Sequence, residues 1–217
     1  MSTIKDRLEA LRAGLNADRL TGFVVPLTDE HMSEYVGAYA QRLEWLTGFG
    51  GSAGSAAVLG QRAAIFTDGR YTLQVREQVP GDLFEYQDVP QTSAAQWLAD
   101  HAGAGDRIGY DPWLHTRAWV EATARLLKAK GAELVPVAAN PIDRIWAGQP
   151  APSDARLEVH PEQFAGQSGA DKRAGAAQWL KARKADAVVI AALDSIAWLL
   201  NIRGRDAPRA PEWSGNI

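Results

Sequence analysis

The chain has 217 residues, of which 46% are hydrophobic and 23% charged, a balance that can fill a core. Its net charge of −3, with both signs interspersed, offers no basic face to nucleic acid or to anionic lipid. The absence of cysteine excludes disulfide frameworks and thiolate zinc sites, and no window reaches the roughly 18 apolar residues of a membrane span, so a cytoplasmic protein that binds neither nucleic acid nor membranes is expected.

The first part of the chain alternates between predicted helices and strands. Apolar residues from Ile4 to Leu15 recur at helical spacing and predict an opening amphipathic helix. Further helices are predicted over residues 71–79, 93–101 and 116–130, the last with Trp119, Ala122, Leu126 and Leu127 facing the core. Strands are predicted over residues 22–26, 83–86, 107–110 and 133–137, with a hairpin formed by residues 56–59 and 63–66. This order predicts an α/β fold with a mixed sheet and flanking helices.

A change of composition over residues 148–153, GQPAPS, predicts a domain boundary, because prolines favour extended backbone there. The predicted division is a first domain over residues 1–147, a linker over 148–155 and a second unit over 156–217. The second unit is expected to contain a helix over 171–184 with Ala177 and Leu180 inward, a buried strand over 187–191 and an apolar helix over 196–200. At this length its core would be marginal, so it is expected to be the truncated beginning of a second domain.

Residues 50–54, GGSAG, fit the G-x-S-x-G pattern in which a serine, here Ser52, is the nucleophile of a hydrolase. That motif requires a strand before the serine and a helix after it, whereas a strand is predicted after Ser52. The histidine would have to be His101, His115 or His160, none of which has a convincing acid partner in sequence. The favoured interpretation is therefore a tight glycine loop entering the hairpin, and a serine hydrolase remains an alternative.

The stretch TDGRY at residues 67–71 is the strongest candidate for a binding site. Asp68 and Gly69 predict a sharp turn at the end of a strand, so Arg70 would project from a place where ligands commonly bind. A guanidinium group presents a planar fork that suits carboxylate or peptide oxygens. The structural alternative for Arg70 is a surface ion pair with Glu77 or another neighbour.

Two sequences, DRIW at 143–146 and DSIAW at 194–198, each place an aspartate before a tryptophan. In both, the aspartate is expected to cap a helix and the tryptophan to pack against the core. The four histidines form no His-x-x-x-His pair, and the other aspartates are scattered at turns, so no metal site is expected within the chain.

Six stretches occur in one order along nearly the whole chain: SEY at 33–35, LTGF at 46–49, GSAG at 51–54, TDGRY at 67–71, DRIW at 143–146 and LDSIAWLLNIRG at 193–204. Together they resemble the N-terminal part of the Xaa-Pro aminopeptidases (aminopeptidase P), the three-domain kind related to creatinase and prolidase. The likeness weakens after Gly204, because residues 205–217 have no strand pattern.

The resemblance implies a creatinase/prolidase N-terminal-like domain followed by part of a second one. It also implies an enzyme that removes the N-terminal residue preceding proline, with two divalent ions, usually manganese, held by a C-terminal domain that has no counterpart among these residues. This chain would then shape the active-site entrance and support a homodimer, would be inactive alone, and would contribute Arg70 to binding of the substrate peptide. The alternative is a peptide- or partner-binding module without catalysis.

Overall fold

The computed structural model describes residues 2–33 and 36–204. The chain divides into two compact units, residues 1–151 and 152–217. Glu34 and Tyr35 of the SEY stretch, and residues 205–217 of the predicted second unit, lie outside the described residues. None of the described helices is both long enough and apolar enough to cross a membrane.

The predicted helices and strands of the first unit occur in the predicted order, and one further helix, which was not predicted, lies between the first strand and the hairpin. Its helices are α1 (Ile4–Ala17), α2 (Arg42–Thr47), α3 (Gln74–Gln78), α4 (Ala94–His101), α5 (Arg117–Lys128) and α6 (Pro141–Ile145). Its strands are β1 (Gly22–Pro26), β2 (Gly54–Leu59), β3 (Arg62–Thr67), β4 (Glu85–Asp88), β5 (Arg107–Tyr110) and β6 (Glu133–Pro136), and two 3-10 turns span Ala38–Ala40 and Pro112–Leu114. Polar side chains define several helix starts, as where Thr3 and Asp6 exchange side-chain to backbone hydrogen bonds ahead of α1.

The six strands form one mixed sheet in the order β4-β3-β2-β1-β5-β6, which confirms the predicted α/β class. Strand β2 runs antiparallel to both of its neighbours, and the other adjacent pairs are parallel. Five strands therefore point the same way, and their carboxyl ends meet at one edge of the sheet. The hairpin of β2 and β3 turns at Gly60 and Gln61, with Leu59 paired to Arg62.

Helices cover both faces of the sheet because side chains along each buried strand alternate between the faces. The core on one face contains Leu8, Leu11, Leu15, Phe23, Val25, Leu43, Leu46, Phe49, Ile65 and Ile142. The core on the other face contains Val24, Ala57, Phe66, Trp97, Leu98, Ile108 and Leu127. Helices α1, α2 and α6 thus cover the first face, and α4 and α5 cover the second.

The predicted inward face of α5 is only partly correct. Leu127 is fully buried and Trp119 is half-buried, but Ala122 is exposed and Leu126 is 38% exposed. The second fully buried position is Thr123, which was not predicted. The inward stripe is therefore formed by positions four apart, Trp119, Thr123 and Leu127, as expected for one face of a helix.

Two elements near the candidate arginine are shifted from their predicted positions. The helix predicted over 71–79 begins only at Gln74, and Tyr71 lies in the turn before it. The strand predicted over 83–86 is β4, at Glu85–Asp88, because residues 80–84 form a turn in which the amides of Leu83 and Phe84 donate to the Pro80 carbonyl.

The second unit contains strands β7 (Glu158–Val159) and β8 (Ile202–Arg203), which pair in antiparallel fashion, and helices α7 (Glu162–Ala165), α8 (Gly169–Ala182) and α9 (Leu193–Leu200). On α8, Leu180 is partly buried as predicted but Ala177 is exposed. The buried residue is Lys172, whose Nζ donates to the carbonyl of Trp198 at 3.0 Å and to Oδ1 of Asn201 at 2.7 Å. A lysine therefore holds the end of α9.

The buried strand predicted over residues 187–191 is wrong. This segment has no strand pairing within the described part of the second unit, and the exposed fractions of Val188 and Val189 are 51% and 92%. An apolar run forms a buried strand only where neighbouring strands accept its hydrogen bonds and other side chains cover it. The sequence of residues 187–191 alone does not show whether such neighbouring strands are present.

The prediction for the sequence DSIAW at 194–198 is also wrong. The residue preceding α9 is Ala192, which makes no side-chain cap, and Asp194 lies within the first turn. Trp198 is 55% exposed, and its ring lies 4.6 Å from the Lys172 ammonium nitrogen. A cation-π contact replaces the expected core packing.

Candidate functional site

The candidate site lies at the sheet edge where the carboxyl ends of the five parallel strands meet. The pairing of Gly54 with Thr67, at the open end of the β2–β3 hairpin, brings the loop before β2 next to the loop after β3. The first loop contains Ser52 and the second contains Asp68 and Arg70. The crevice outside the carboxyl ends of strands is the usual place for ligands in open α/β sheets.

Asp68 and Arg70 form a close ion pair within one turn. The Asp68 carboxylate accepts from the Arg70 backbone amide at 3.0 Å, from Nε at 3.0 Å and from a terminal guanidinium nitrogen at 2.7 Å. Hydrogen bonds from the Arg70 side chain hold the pKa of Asp68 below its usual value, so the carboxylate stays ionised. The Arg70 side chain is 67% exposed, so the paired group still faces solvent.

Tyr71 connects the two loops. Its hydroxyl lies 2.7 Å from Oγ of Ser52, and this hydrogen bond lowers the pKa of the tyrosine. Its ring lies 5.3 Å from the centre of the Arg70 guanidinium and packs edge-on against the buried ring of Phe49, with centroids 5.5 Å apart. The guanidinium is therefore held by a carboxylate and by an aromatic ring.

The glycine loop permits this close packing. Gly48 ends α2 with a φ of +85°, a conformation that few other residues adopt. At Gly51, an added Cβ would lie 2.3 Å from Cζ of Phe49 and 2.8 Å from Cδ1 of Tyr71. The backbone at Gly51 thus occupies the space that lets the two rings meet, which agrees with the predicted role of these glycines as a tight loop.

We expect Gly51→Ala to destabilise the chain by about 1–3 kcal/mol, because the methyl group must displace one of the two rings. Gly50→Ala is the matched control: its nearest new contact would be Oε1 of Glu44 at 3.6 Å, an ordinary separation, so the change should stay within about 0.5 kcal/mol. Urea denaturation followed by tryptophan fluorescence measures both. Equal losses of stability in the two variants would contradict the close packing at Gly51.

The geometry does not support Ser52 as a hydrolase nucleophile. Strand β2 follows the loop, whereas the G-x-S-x-G elbow requires a helix at that point, and the described partner of the serine hydroxyl is Tyr71. The candidate histidines make other contacts, since His101 and His115 bind the carbonyls of Trp97 and Asp111 through Nδ1. Burial lowers the pKa of His115, whose ring packs against the aromatic side chains of Tyr110 and Trp119.

His160, the third candidate histidine, lies in the second unit. Its ring centroid is 6.1 Å from that of Phe164, and its backbone amide donates to the carbonyl of Asn201. No contact with a serine is described for it.

A second polar cluster in the first unit centres on Arg42 of α2. Its Nε and one terminal nitrogen donate to the two carboxylate oxygens of Asp143 at 2.7 and 2.8 Å, and the Arg42 side chain is only 10% exposed. Asp143 was expected to cap α6, but Asn140 does so, through its side-chain oxygen. Trp146 packs as predicted, stacked on Trp45 with centroids 5.4 Å apart.

Sequence reasoning did not identify the Arg42–Asp143 pair, because 101 positions separate the two residues and no local pattern connects them. In the sequence, each of the two residues looks like an ordinary exposed residue of a helix.

No three metal-ligating side chains lie close enough together to hold a metal ion within residues 2–33 and 36–204. These residues therefore do not fit a di-metal centre, and no step involving a metal is assigned to them.

Comparison with known proteins relates both units to one family. Residues 7–145 match the model of the family described as Creatinase/Prolidase N-terminal domain, and residues 148–215 match a second model of the same description. The chain is 35% identical over 209 residues to a probable Xaa-Pro aminopeptidase P of Aspergillus flavus and 36% identical over 209 residues to that of Aspergillus niger. It is covered to 95% in both matches, but spans only 32% and 34% of these curated relatives.

Solved structures of related peptidases also resemble this chain. The X-prolyl aminopeptidase of Caenorhabditis elegans, described as a cytosolic enzyme with a di-nuclear active site, matches with a TM-score of 0.88 and 31% identity, over 96% of this chain and 36% of that one. The N-terminal domain of the cytoplasmic peptidase PepQ from Mycobacterium tuberculosis matches with a TM-score of 0.50 and 26% identity, over 64% of this chain and 97% of that one.

Proposed function

This chain belongs to the creatinase/prolidase N-terminal domain family, and from that membership we propose that it is the N-terminal, non-catalytic region of an Xaa-Pro aminopeptidase. In the longer enzyme, an N-terminal residue that precedes proline is removed from a peptide. The region shapes the entrance of the active site, and Arg70 contacts the substrate peptide there. The identity to the Aspergillus and Caenorhabditis enzymes along nearly the whole chain supports this proposal.

The arrangement around Arg70 is the observation that carries the proposal. A flexible arginine loses side-chain entropy when it binds, but here Asp68 and the ring of Tyr71 already hold the guanidinium group. The group faces solvent at the sheet edge where ligands of α/β folds usually bind. Its role is binding rather than chemistry, because neither a nucleophile with its base nor a metal cage accompanies it within the described residues.

The proposal assigns hydrolysis to two divalent ions, with manganese expected, in a part of the enzyme other than these residues. When bound there, such a pair of ions would supply a hydroxide nucleophile and polarise the scissile carbonyl. We further propose that residues 1–147 form one creatinase N-terminal-like domain, that 148–155 form a linker, and that 156–217 are the beginning of a second such domain. The enzyme is proposed to be a cytoplasmic homodimer.

The test is an assay of Xaa-Pro cleavage with added manganese, on the 217-residue chain and on the product of the complete reading frame. Activity only in a longer product is the expected result. In that product, Arg70→Ala should raise KM about tenfold with a smaller effect on kcat, because a hydrogen bond from a charged group is lost. The control is Arg117→Ala: Arg117 is also paired with an acid, Glu121 at 2.6 Å, but on the surface of α5.

Other results would point elsewhere. A KM unchanged by Arg70→Ala would remove the proposed contact with the peptide. A reading frame that ends with this chain would favour a peptide- or partner-binding module. Ester cleavage that needs no metal and is abolished by Ser52→Ala would favour the serine hydrolase.

A further inference from the structure

The carboxylate of Asp68 is hydrogen-bonded to the guanidinium group of Arg70, which is the group that a ligand would have to approach. Both of its oxygens take part, since Oδ1 accepts from Nε of Arg70 at 3.0 Å and Oδ2 accepts from Nε at 3.2 Å and from a terminal nitrogen at 2.7 Å. The pair therefore places a negative charge directly against the positive charge of Arg70 at the surface of the site.

Asp68 cannot easily swing away from this position. Its Oδ1 also accepts from the backbone amide of Arg70, which closes a turn of the kind that aspartate and asparagine form with the residue two positions later. This backbone bond distinguishes it from the exposed pair of Arg117 and Glu121, in which the partners lie four apart on a helix and only their side chains meet.

We propose that Asp68 is a specificity-determining residue that makes the Arg70 site select uncharged carbonyl oxygens of a peptide and reject free carboxylates. A ligand carboxylate would compete with Asp68 for the guanidinium and would lie beside a second negative charge, which costs free energy. A peptide carbonyl carries no net charge and avoids this repulsion. The inference rests on the proposed function and adds the class of ligand group that Arg70 accepts.

The consequence for substrates is a requirement on where the peptide ends. A peptide that continues past Arg70 presents only amide groups to it. A peptide whose C-terminal carboxylate falls at Arg70 meets the negative charge of Asp68. The site therefore favours peptides long enough to extend beyond this contact.

The experiment titrates the 217-residue chain with acetate and, separately, with acetamide at neutral pH and constant ionic strength. The NMR signal of the Arg70 Nε–H reports binding, and its absence in Arg70→Lys assigns it. In Asp68→Asn, acetate should bind about five- to tenfold more tightly than in the wild type, because the negative charge that repels it beside Arg70 is gone. Acetamide binding should change by less than about twofold.

Two controls show whether a change reflects charge rather than folding. Asparagine can still accept the Arg70 backbone hydrogen bond, so Asp68→Asn should keep the turn, and Asp68→Ser offers a second side chain that also closes such turns. The Nε–H signal of Arg117, measured in the same spectra, should respond to acetate equally in all variants.

Equal acetate affinity in the wild type and both Asp68 variants would overturn the inference. That failure is distinguishable from failure of the proposed function, because the titration reads the charge at Arg70 without catalysis. A KM that is unaffected by Arg70→Ala would instead remove the contact with the peptide, whatever acetate does.

Discussion

Replacing Phe49 with alanine is expected to lower the free energy of unfolding by about 3–5 kcal/mol, the usual cost of truncating a buried aromatic side chain. Phe49 is fully buried in the core on the α1 side of the sheet. The loss combines the transfer free energy of the removed ring with the cavity that it leaves, because a close-packed interior relaxes only in part.

The position is unusual among the core residues because it also supports the candidate site. The Phe49 ring contacts the edge of Tyr71, whose ring in turn lies beside Arg70. A cavity at Phe49 therefore removes the wall against which Tyr71 packs. We expect the tyrosine to lose its fixed contact with Ser52, so that the effect on peptide binding exceeds that of an equally destabilising change elsewhere in the core.

Urea denaturation of the wild type, Phe49→Ala and Phe49→Leu measures this prediction. Leucine retains much of the volume, and its cost should be about 1–2 kcal/mol. Leu98→Ala, in the core on the other face of the sheet, is a control for the site, because it should destabilise the unit without altering the Arg70 Nε–H signal. A loss below about 1 kcal/mol in Phe49→Ala would contradict the packing described here.

Asp143→Ala is expected to cost about 2–3 kcal/mol because it leaves the Arg42 guanidinium buried without its partner. The side chain of Arg42 is 10% exposed and that of Asp143 is 33% exposed. Water can therefore partly replace the carboxylate, which places the expected loss below the range for a fully buried pair. One terminal nitrogen of Arg42 already has no hydrogen-bond partner, so little else can compensate.

The next residue along α6 is the control. Arg144 pairs with Asp18 at the surface, where the two side chains are 46% and 36% exposed, and Arg144→Ala should cost less than about 1 kcal/mol. The double variant Arg42→Met with Asp143→Leu should recover much of the stability, since apolar side chains carry no buried charge. If the two single alanine variants destabilise equally, burial of Arg42 is not what makes the pair important.

Local patterns predicted the first unit well. The helix beginning at Ile4 and the strands at Gly22–Pro26 and Arg107–Tyr110 are where the sequence placed them, because their apolar spacing and caps are complete within a few residues. The predicted hairpin also formed, and its closing turn is short.

The failures share a physical cause. The segment 187–191 has the composition of a strand, but its described surroundings supply no strand to pair with it, and the inward stripe of α5 depends on how the helix docks. Lys172 is buried because it satisfies carbonyl groups at the end of α9, which lies far along the chain. Within the site, the turn of Asp68 and Gly69 was predictable, but the contacts of Tyr71 with Ser52 and Phe49 depend on the pairing of β2 with β3.

The mixed sheet has a consequence for the order of folding. Strands β2 and β3 are joined by a two-residue turn, whereas the parallel pairing of β1 with β5 brings together Gly22 and Ile108, so the hairpin closes a much shorter loop of chain. Early closure of the hairpin already brings the loop of Ser52 beside that of Arg70. The two loops that would contact a peptide can therefore come together before β1 pairs with β5. The later packing of the core then fixes the positions of these loops.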